Sequence, residues 1–205
     1  MSMKSIAIYM AGSIQKGHET GNELFWTEAH FQEIRECLKE IEVSFLNPAF
    51  RTDDLSDQRS VFGRDMTQVF SADAVFVDAR DRRGLGVGAE MMWAKVHKIP
   101  VITWAPLETH YHKSETSILG VAVKKFIHPF VESLSDQVVG SLSQAALFIK
   151  DALNDPSFTP KGIEFITSAM EYYLSTGYPK DIPMQEIVNS SPSVKKKIES
   201  FAVIV

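Results

Sequence analysis

Residues 74–104 read AVFVDARDRRGLGVGAEMMWAKVHKIPVITW and carry the clearest fold signal in the chain. Ala74 to Val77 (AVFV) is a continuous apolar run, the pattern of a strand buried on both faces of a parallel sheet. A loop over 81–88 follows it. Next comes a helix with Ala89, Met92, Trp93 and Val96 predicted on its apolar face. Lys98-Ile99-Pro100 ends that helix, and Val101 to Trp104 (VITW) reads as the next strand. Strand, helix and strand in this order form a parallel crossover unit.

The same alternation continues on both sides. Ile6 to Met10 (IAIYM) is a short apolar strand that runs into Ala11-Gly12-Ser13. Apolar residues at 24, 31, 34, 38 and 41 have helical spacing. Val43 to Leu46 is a second strand, stopped by Asn47-Pro48. Asp53 to Asp57 is polar loop. Apolar residues at 62, 66, 69 and 70 predict a short helix over 61–70. After the fourth strand, 105–117 reads as a polar loop. Phe126 to Val131 reads as a fifth strand with Pro129 marking an edge, and Val138 to Ile149 as an amphipathic helix. The pattern predicts an α/β fold with a five-stranded parallel sheet and helices on both faces, spanning residues 1–153. Ligands of such sheets bind outside the carboxyl ends of the strands.

Residues 154–205 differ. Thr159-Pro160 and Ser191-Pro192 both look like helix starts, with a hydroxyl N-cap and proline at the first helical position. Apolar residues at 163, 166, 170 and 173/174 follow the first of them. This segment carries no evident chemistry and is expected to be a helical extension packed on the domain or on a partner subunit. The apolar tail Phe201 to Val205 favours docking over free solvation.

Composition bounds the function. The chain of 205 residues suits one domain, or one domain with a helical appendage. Its net charge of -5 argues against a nucleic-acid backbone partner, while leaving small nucleotides open. A single cysteine, Cys37, rules out an internal disulfide framework and suits a reducing compartment. The first ten residues lack a signal-peptide pattern. No apolar run reaches about 18 residues, so no membrane span is expected. The expectation is a cytoplasmic protein.

Gly84, Gly86 and Gly88 alternate just before Glu90. They do not form a dinucleotide fingerprint, because the third glycine would fall at Met91 and the motif follows the third strand. No Gly-Lys-Ser/Thr follows, so they are not a P-loop. They could simply be a tight turn. Glu90 is expected in the first helical turn, with Gly88 near the cap. There it is either a stabilising first-turn acid or a carboxylate held ionised at the mouth of the sheet, with small glycines letting a ligand approach. The second reading suits a nucleophile in glycosyl transfer.

Several segments together resemble the nucleoside 2-deoxyribosyltransferase family. They are Tyr9, Gly12-Ser13-Ile14, Arg64-Asp65, Ala72-Asp73-Ala74-Val75, Gly86-Val87-Gly88-Ala89-Glu90 and Lys98-Ile99-Pro100-Val101. Within that family the sequence looks most like the 2'-deoxynucleoside 5'-monophosphate N-hydrolase branch, and the resemblance covers residues 4 to about 131. It implies a flavodoxin-like fold and chemistry without metal or organic cofactor. It also implies a nucleoside or nucleotide substrate, with sites completed across a homodimer or higher homo-oligomer.

Carried over residue by residue, Glu90 matches the nucleophile. Asp65 matches the aspartate that helps protonate the base or position the sugar. Tyr9 matches the tyrosine that hydrogen-bonds the nucleophile. Gly12, Ser13 and Ile14 match the loop near the sugar 5' group, and Asn47 begins the base-contacting loop. Each has a plainer alternative. Asp65 could be a helix acid paired with Arg64, Tyr9 a core aromatic, and Asn47 a strand-ending turn.

The chain departs from the family where the substrate is chosen. Gln15 stands in place of an arginine after the loop glycine and serine. Gly84 stands where the hydrolases have a serine and the transferases often an acid. Glu115 aligns with a serine given to the neighbouring subunit's phosphate site, although Ser114 or Ser117 serves if the register shifts. Each change removes a phosphate ligand. Lys16 and Arg83 could compensate or be solvated surface charge, and Asp78, Asp81 and Arg82 crowd the same loop. His110 and His112 lack partners for a metal site and read as a polar lid or interface. Trp104 could line a base pocket or pack in the core. Three activities remain open: transfer or cleavage on a nucleoside, hydrolysis of a 5'-monophosphate, and a non-catalytic nucleotide sensor.

Overall fold

The computed structural model describes residues 4–13 and 25–204. Ile14, Gln15, Lys16 and Leu24, and the end of the apolar tail, lie outside the described side chains. The chain divides into two compact units after Gly162, nine residues beyond the expected boundary. Residues 155–162 belong to the first unit for two reasons. Phe158 meets Phe148 edge to face at 5.6 Å. The Lys161 amide donates to Asp136 Oδ1 at 2.6 Å, and Lys161 Nζ donates to the carbonyls of Glu132 and Ser135.

The first unit is built on β1 (Lys4–Ala11), α1 (Glu28–Cys37), β2 (Ile41–Leu46), α2 (Gln58–Phe70), β3 (Ala74–Asp78), α3 (Leu85–Val96) and β4 (Val101–Trp104). It continues with β5 (His112–Ile118), β6 (Val121–Ile127), α4 (Pro129–Leu134), β7 (Gln137–Val139) and α5 (Leu142–Asn154). Five strands pair in parallel in the order β2-β1-β3-β4-β7. Counting only those strands gives 2-1-3-4-5, the flavodoxin-like order, with its switch point between β1 and β3.

Strand alternation sorts side chains onto two faces. Ile6, Ile8, Met10, Ala74, Phe76 and Ile102 pack against Phe31 and Ile34 of α1, Leu38 at its C-cap, and Leu142, Ala145 and Ile149 of α5. The intervening Tyr9, Val75, Val77 and Val101 therefore face the other way. On that side α2 and α3 pack together, and Trp93 Nε1 donates to the Met66 carbonyl at 3.1 Å.

Three expectations are corrected. First, the fifth parallel strand is Gln137–Val139, not 126–131. Residues 121–127 form a strand of an antiparallel hairpin with 112–118, which occupies part of the expected polar loop. Pro129 opens α4 at its first turn instead of marking an edge. The true fifth strand is only three residues long, and its signal merges with the helical spacing of 138–149. That helix starts at Leu142, capped by Ser141.

Second, α3 buries Val87, Glu90, Met91, Ala94 and Lys95. Ala89, Met92 and Val96 are exposed, so the expected apolar face is rotated towards solvent. Third, the helix expected at Thr159-Pro160 begins at Ile163. The Lys161 amide, which would lie in that first turn, is committed to Asp136.

The second unit holds α6 (Ile163–Tyr172), a wider turn over Tyr173–Gly177, a short 3-10 segment, α7 (Ile182–Ser190) and α8 (Pro192–Ile204). Asp181 caps α7 by accepting from the Met184 amide and also accepts from Tyr173 Oη at 2.8 Å. A Cβ on Gly177 would stand 2.8 Å from the Tyr173 ring, so this close approach requires glycine. No helix among the described residues is long and apolar enough to cross a membrane.

Candidate active site

The glycine segment is helix rather than loop. Gly84 is the N-cap of α3 in extended conformation, and Gly86 and Gly88 sit inside the first turns. None of the three has a positive φ, so backbone freedom does not explain them. Their surroundings do separate them. A Cβ on Gly86 would lie 3.8 Å from Glu90 Oε1, while one on Gly84 or Gly88 would meet nothing within 4 Å. Gly84 and Gly88 instead line an apolar cavity of about 450 Å³ with Val87, Met91, Val131 and Leu134. Tyr9, Asp65 and Glu90 do not line that cavity.

Because the helix begins at Leu85, Glu90 falls in its second turn. The stabilisation of a negative charge by free amides fades beyond the first turn, so the expected permanently ionised carboxylate is not what α3 provides. Glu90 is 8% exposed. Burial pushes its carboxyl up from 4.5 to about 7, the nearby Tyr9 phenol offsets part of that rise, and the charge of Asp65 adds to it. At neutral pH both protonation states are present.

Tyr9, Asp65 and Glu90 come together on the α2/α3 side of the sheet. Tyr9 is fully buried on β1, one register step before Met10. Burial first, then the neighbouring Glu90 carboxylate, pushes its phenol far up, which keeps it a neutral donor. Tyr9 Oη and Glu90 Oε2 are both sealed from solvent and lack a hydrogen bond of ordinary geometry. Oε1 is the oxygen beside Gly86. Asp65 Oδ1 sits 3.5 Å from both Arg51 Nη1 and Arg64 Nη1. Burial pushes Asp65 up, and the two guanidinium groups pull it back.

The loops after β1 and β3 meet beyond the carboxyl ends of those strands. Gly12 is tightly packed: a Cβ there would lie 3.0 Å from Trp26 Nε1 and 3.4 Å from Asp78 Cβ. Ser13 Oγ accepts from Arg83 Nη1 at 2.8 Å. Arg83 also donates to the Asp78 carbonyl and pairs with Asp78 Oδ2 at 2.9 Å. Its side chain is 5% exposed, so the reading of solvated surface charge is corrected. Asp78 is fully buried and carries Arg80 as well, through a two-pronged contact at 2.9 and 3.0 Å. A cavity of about 110 Å³ opens here, lined by Gly12, Ser13, Trp26, Asn47 and Phe50 among others. Asn47 Oδ1 accepts from the Ala49 amide at 2.9 Å, as in a strand-ending turn.

Other candidates fall elsewhere. Ser114, Glu115 and Ser117 are exposed on the hairpin, where Glu115 stands opposite Lys124. None of the three has a side-chain bond to Tyr9, Asp65 or Glu90 among the described residues. His112 Nδ1 bonds the Ala105 carbonyl, and among the described residues no group of three His, Cys, Asp or Glu is placed to hold a metal ion. Trp104 packs against the α1/α5 core and bonds the Gly140 carbonyl through Nε1.

Arg51, Asp53 and the pairing role of Asp78 do not stand out in the sequence. Arg51 and Asp53 lie in a loop without periodicity, and only their i, i+2 opposite charges hint at a contact.

No family model matches the chain, and no curated protein matches it. Among solved structures it is similar to a conserved protein from Enterococcus faecalis V583, with 20% identity and a TM-score of 0.48, covering 73% of this chain and 99% of that one.

Proposed function

We propose that this protein cleaves or transfers the N-glycosidic bond of a nucleoside, deoxynucleosides included, through a covalent glycosyl–Glu90 intermediate. The observation that supports this best is the meeting of Tyr9, Asp65 and Glu90, with one Glu90 oxygen left beside a glycine. In the first step Glu90 Oε1 attacks C1' of the sugar. The C1'–N bond breaks, and the base leaves with its electron pair and takes a proton from solvent water. In the second step water or another base attacks C1' and releases its proton to solvent, the C1'–O bond breaks, and the carboxylate is restored. Tyr9, held neutral, donates towards the carboxylate as it is released.

Arg83 favours an uncharged sugar 5' group over a 5'-monophosphate. It reaches Ser13, but its charge is already committed to Asp78. The alternative of a non-catalytic sensor leaves the buried, raised carboxylate beside Gly86 without a use.

The test incubates the protein with deoxynucleosides, ribonucleosides and their 5'-monophosphates, with and without acceptor base. Free base, exchanged nucleoside and a sugar adduct on Glu90 by mass spectrometry are the expected results. Release from no substrate, together with wild-type nucleoside binding by Glu90→Ala, overturns the proposal.

Two further outcomes follow. The nucleophile must be ionised, so kcat/KM should rise with pH through about 7 and level off above it. A profile flat from pH 5.5 to 8 contradicts that role. Gly86→Ala, whose Cβ would stand in ordinary contact with Oε1 at 3.8 Å, should also lower kcat/KM roughly tenfold or more by narrowing the approach to that oxygen, while Gly88→Ala leaves it within twofold. Both alanines favour helix by up to about 1 kcal/mol, so thermal melts should show that the loss in Gly86→Ala does not come from unfolding.

A further inference from the structure

We propose that Arg51, clamped by Asp53, is a positioning residue that fixes and orients Asp65 beside Glu90. This deepens the reading of Tyr9, Asp65 and Glu90 as the reacting site and rests on it. Arg51 lies in the loop between β2 and α2, where long cationic side chains are normally solvated. Its side chain is only 8% exposed. Nε donates to Asp53 Oδ1 at 2.8 Å and Nη2 to Asp53 Oδ2 at 2.6 Å. This two-pronged contact fixes the guanidinium plane. It leaves Nη1 to face Asp65 Oδ1 at 3.5 Å.

Arg64 approaches the same oxygen from α2, itself anchored to the Phe50 carbonyl at 2.7 Å and the Pro48 carbonyl at 3.4 Å. One oxygen of Asp65 is thus sealed between two guanidinium groups without a formal hydrogen bond. Its orientation is set by charge from two sides.

The charged and titratable groups facing Asp65 are Arg51 and Asp53 from the loop, Arg64 from its own helix, Tyr9 from β1 and Glu90 from α3. Arg51 and Arg64 favour the ionised form of Asp65, and Asp53 opposes it. Removing the Arg51 charge therefore lets Asp65 take up its proton at higher pH. A loop brace without an electrostatic role would not move this titration.

The experiment follows the Asp65 carboxyl carbon by NMR titration in the full-length wild type, Arg51→Met and Arg51→Lys. Arg35→Met serves as a control, because Arg35 pairs with Glu28 on the α1 surface. The expected result for Arg51→Met is a rise in the Asp65 midpoint of about half a pH unit or more. Arg51→Lys should restore part of it, and Arg35→Met should not move it. On an active substrate, kcat should fall roughly tenfold with KM within about twofold.

If Arg51→Met does not fold, Arg51→Gln removes the same charge while keeping a long polar side chain in the loop, and a rise of the Asp65 midpoint in the same direction is expected. Unmoved Asp65 midpoints in the folded variants overturn the positioning role, whether or not the wild type turns over nucleosides. Absence of turnover by the wild type overturns the reacting-site reading, and the titration still decides the coupling of Arg51 to Asp65.

Discussion

Glu90→Gln is expected to raise the melting temperature at pH 8 by roughly 6–12 °C and to lower nucleoside turnover on the order of 10³-fold or more. The two effects have one cause. The Glu90 carboxyl is raised from 4.5 in the unfolded chain to about 7 in the folded one. A raised carboxyl contributes stability that is fully present below 4.5 and is lost as pH rises through 7. The difference corresponds to about 3 kcal/mol. Wild-type stability should therefore fall between pH 4.5 and 7, and Glu90→Gln should be largely free of that slope. Thermal melts from pH 4.5 to 8 on both proteins check it. Equal slopes would mean that Glu90 is better solvated than its 8% exposure indicates. A site that destabilises its own fold only in the reactive state has the stability–activity conflict expected of a functional group.

Much of the sheet is legible in the sequence because its signals are local. Ala74 to Val77 and Val101 to Trp104 are apolar on both faces, and each is bounded by a helix or a turn. Residues 137–139 escape because three residues cannot establish a period of two beside a strong helical pattern. Pro129 misleads for a related reason: proline suits an edge strand and a first helical turn equally well, and only pairing distinguishes them. The face of α3 is misassigned because its most apolar stripe is the exposed one. Its inward stripe includes Glu90 and Lys95, which no hydrophobic pattern would select.

The candidate site is legible as a set of residues but not as an arrangement. Tyr9, Asp65 and Glu90 stand out by motif, and the structure brings them together. Their protonation does not follow from position. An acid placed one helical turn deeper than expected is governed by burial instead of the helix dipole. The glycines divide likewise: Gly86 borders the carboxylate, whereas Gly84 and Gly88 line a separate cavity. Arg51 and Arg83 look like surface charges because a sequence gives their charge but not the carboxylates that surround them.

Asp136→Ala is expected to be the most damaging substitution to the fold, costing about 3–5 kcal/mol. Asp136 is 4% exposed by its side chain and sits just before β7. Its Oδ2 accepts from Lys95 Nζ at 2.5 Å and from the Val101 amide at 2.6 Å, and its Oδ1 accepts from the Lys161 amide. One carboxylate thus ties α3, the start of β4 and the last residues of the first unit. Removing it strands two amides and leaves the Lys95 charge, 1% exposed, without its partner. Burial already pulls the Lys95 amine down, with Asp136 opposing that pull. Lys95→Met should cost less, because the carboxylate it leaves behind keeps both amide donors. The order of stability by denaturant melts is therefore wild type, Lys95→Met, Asp136→Ala. The reverse order would mean that the ion pair rather than the backbone anchoring holds this corner. Asp136 lies at the edge where β4 begins, whereas Glu90 works near the opposite ends of the strands. Substitutions at the two positions should thus add in stability without coupling, which a double-variant cycle measures directly.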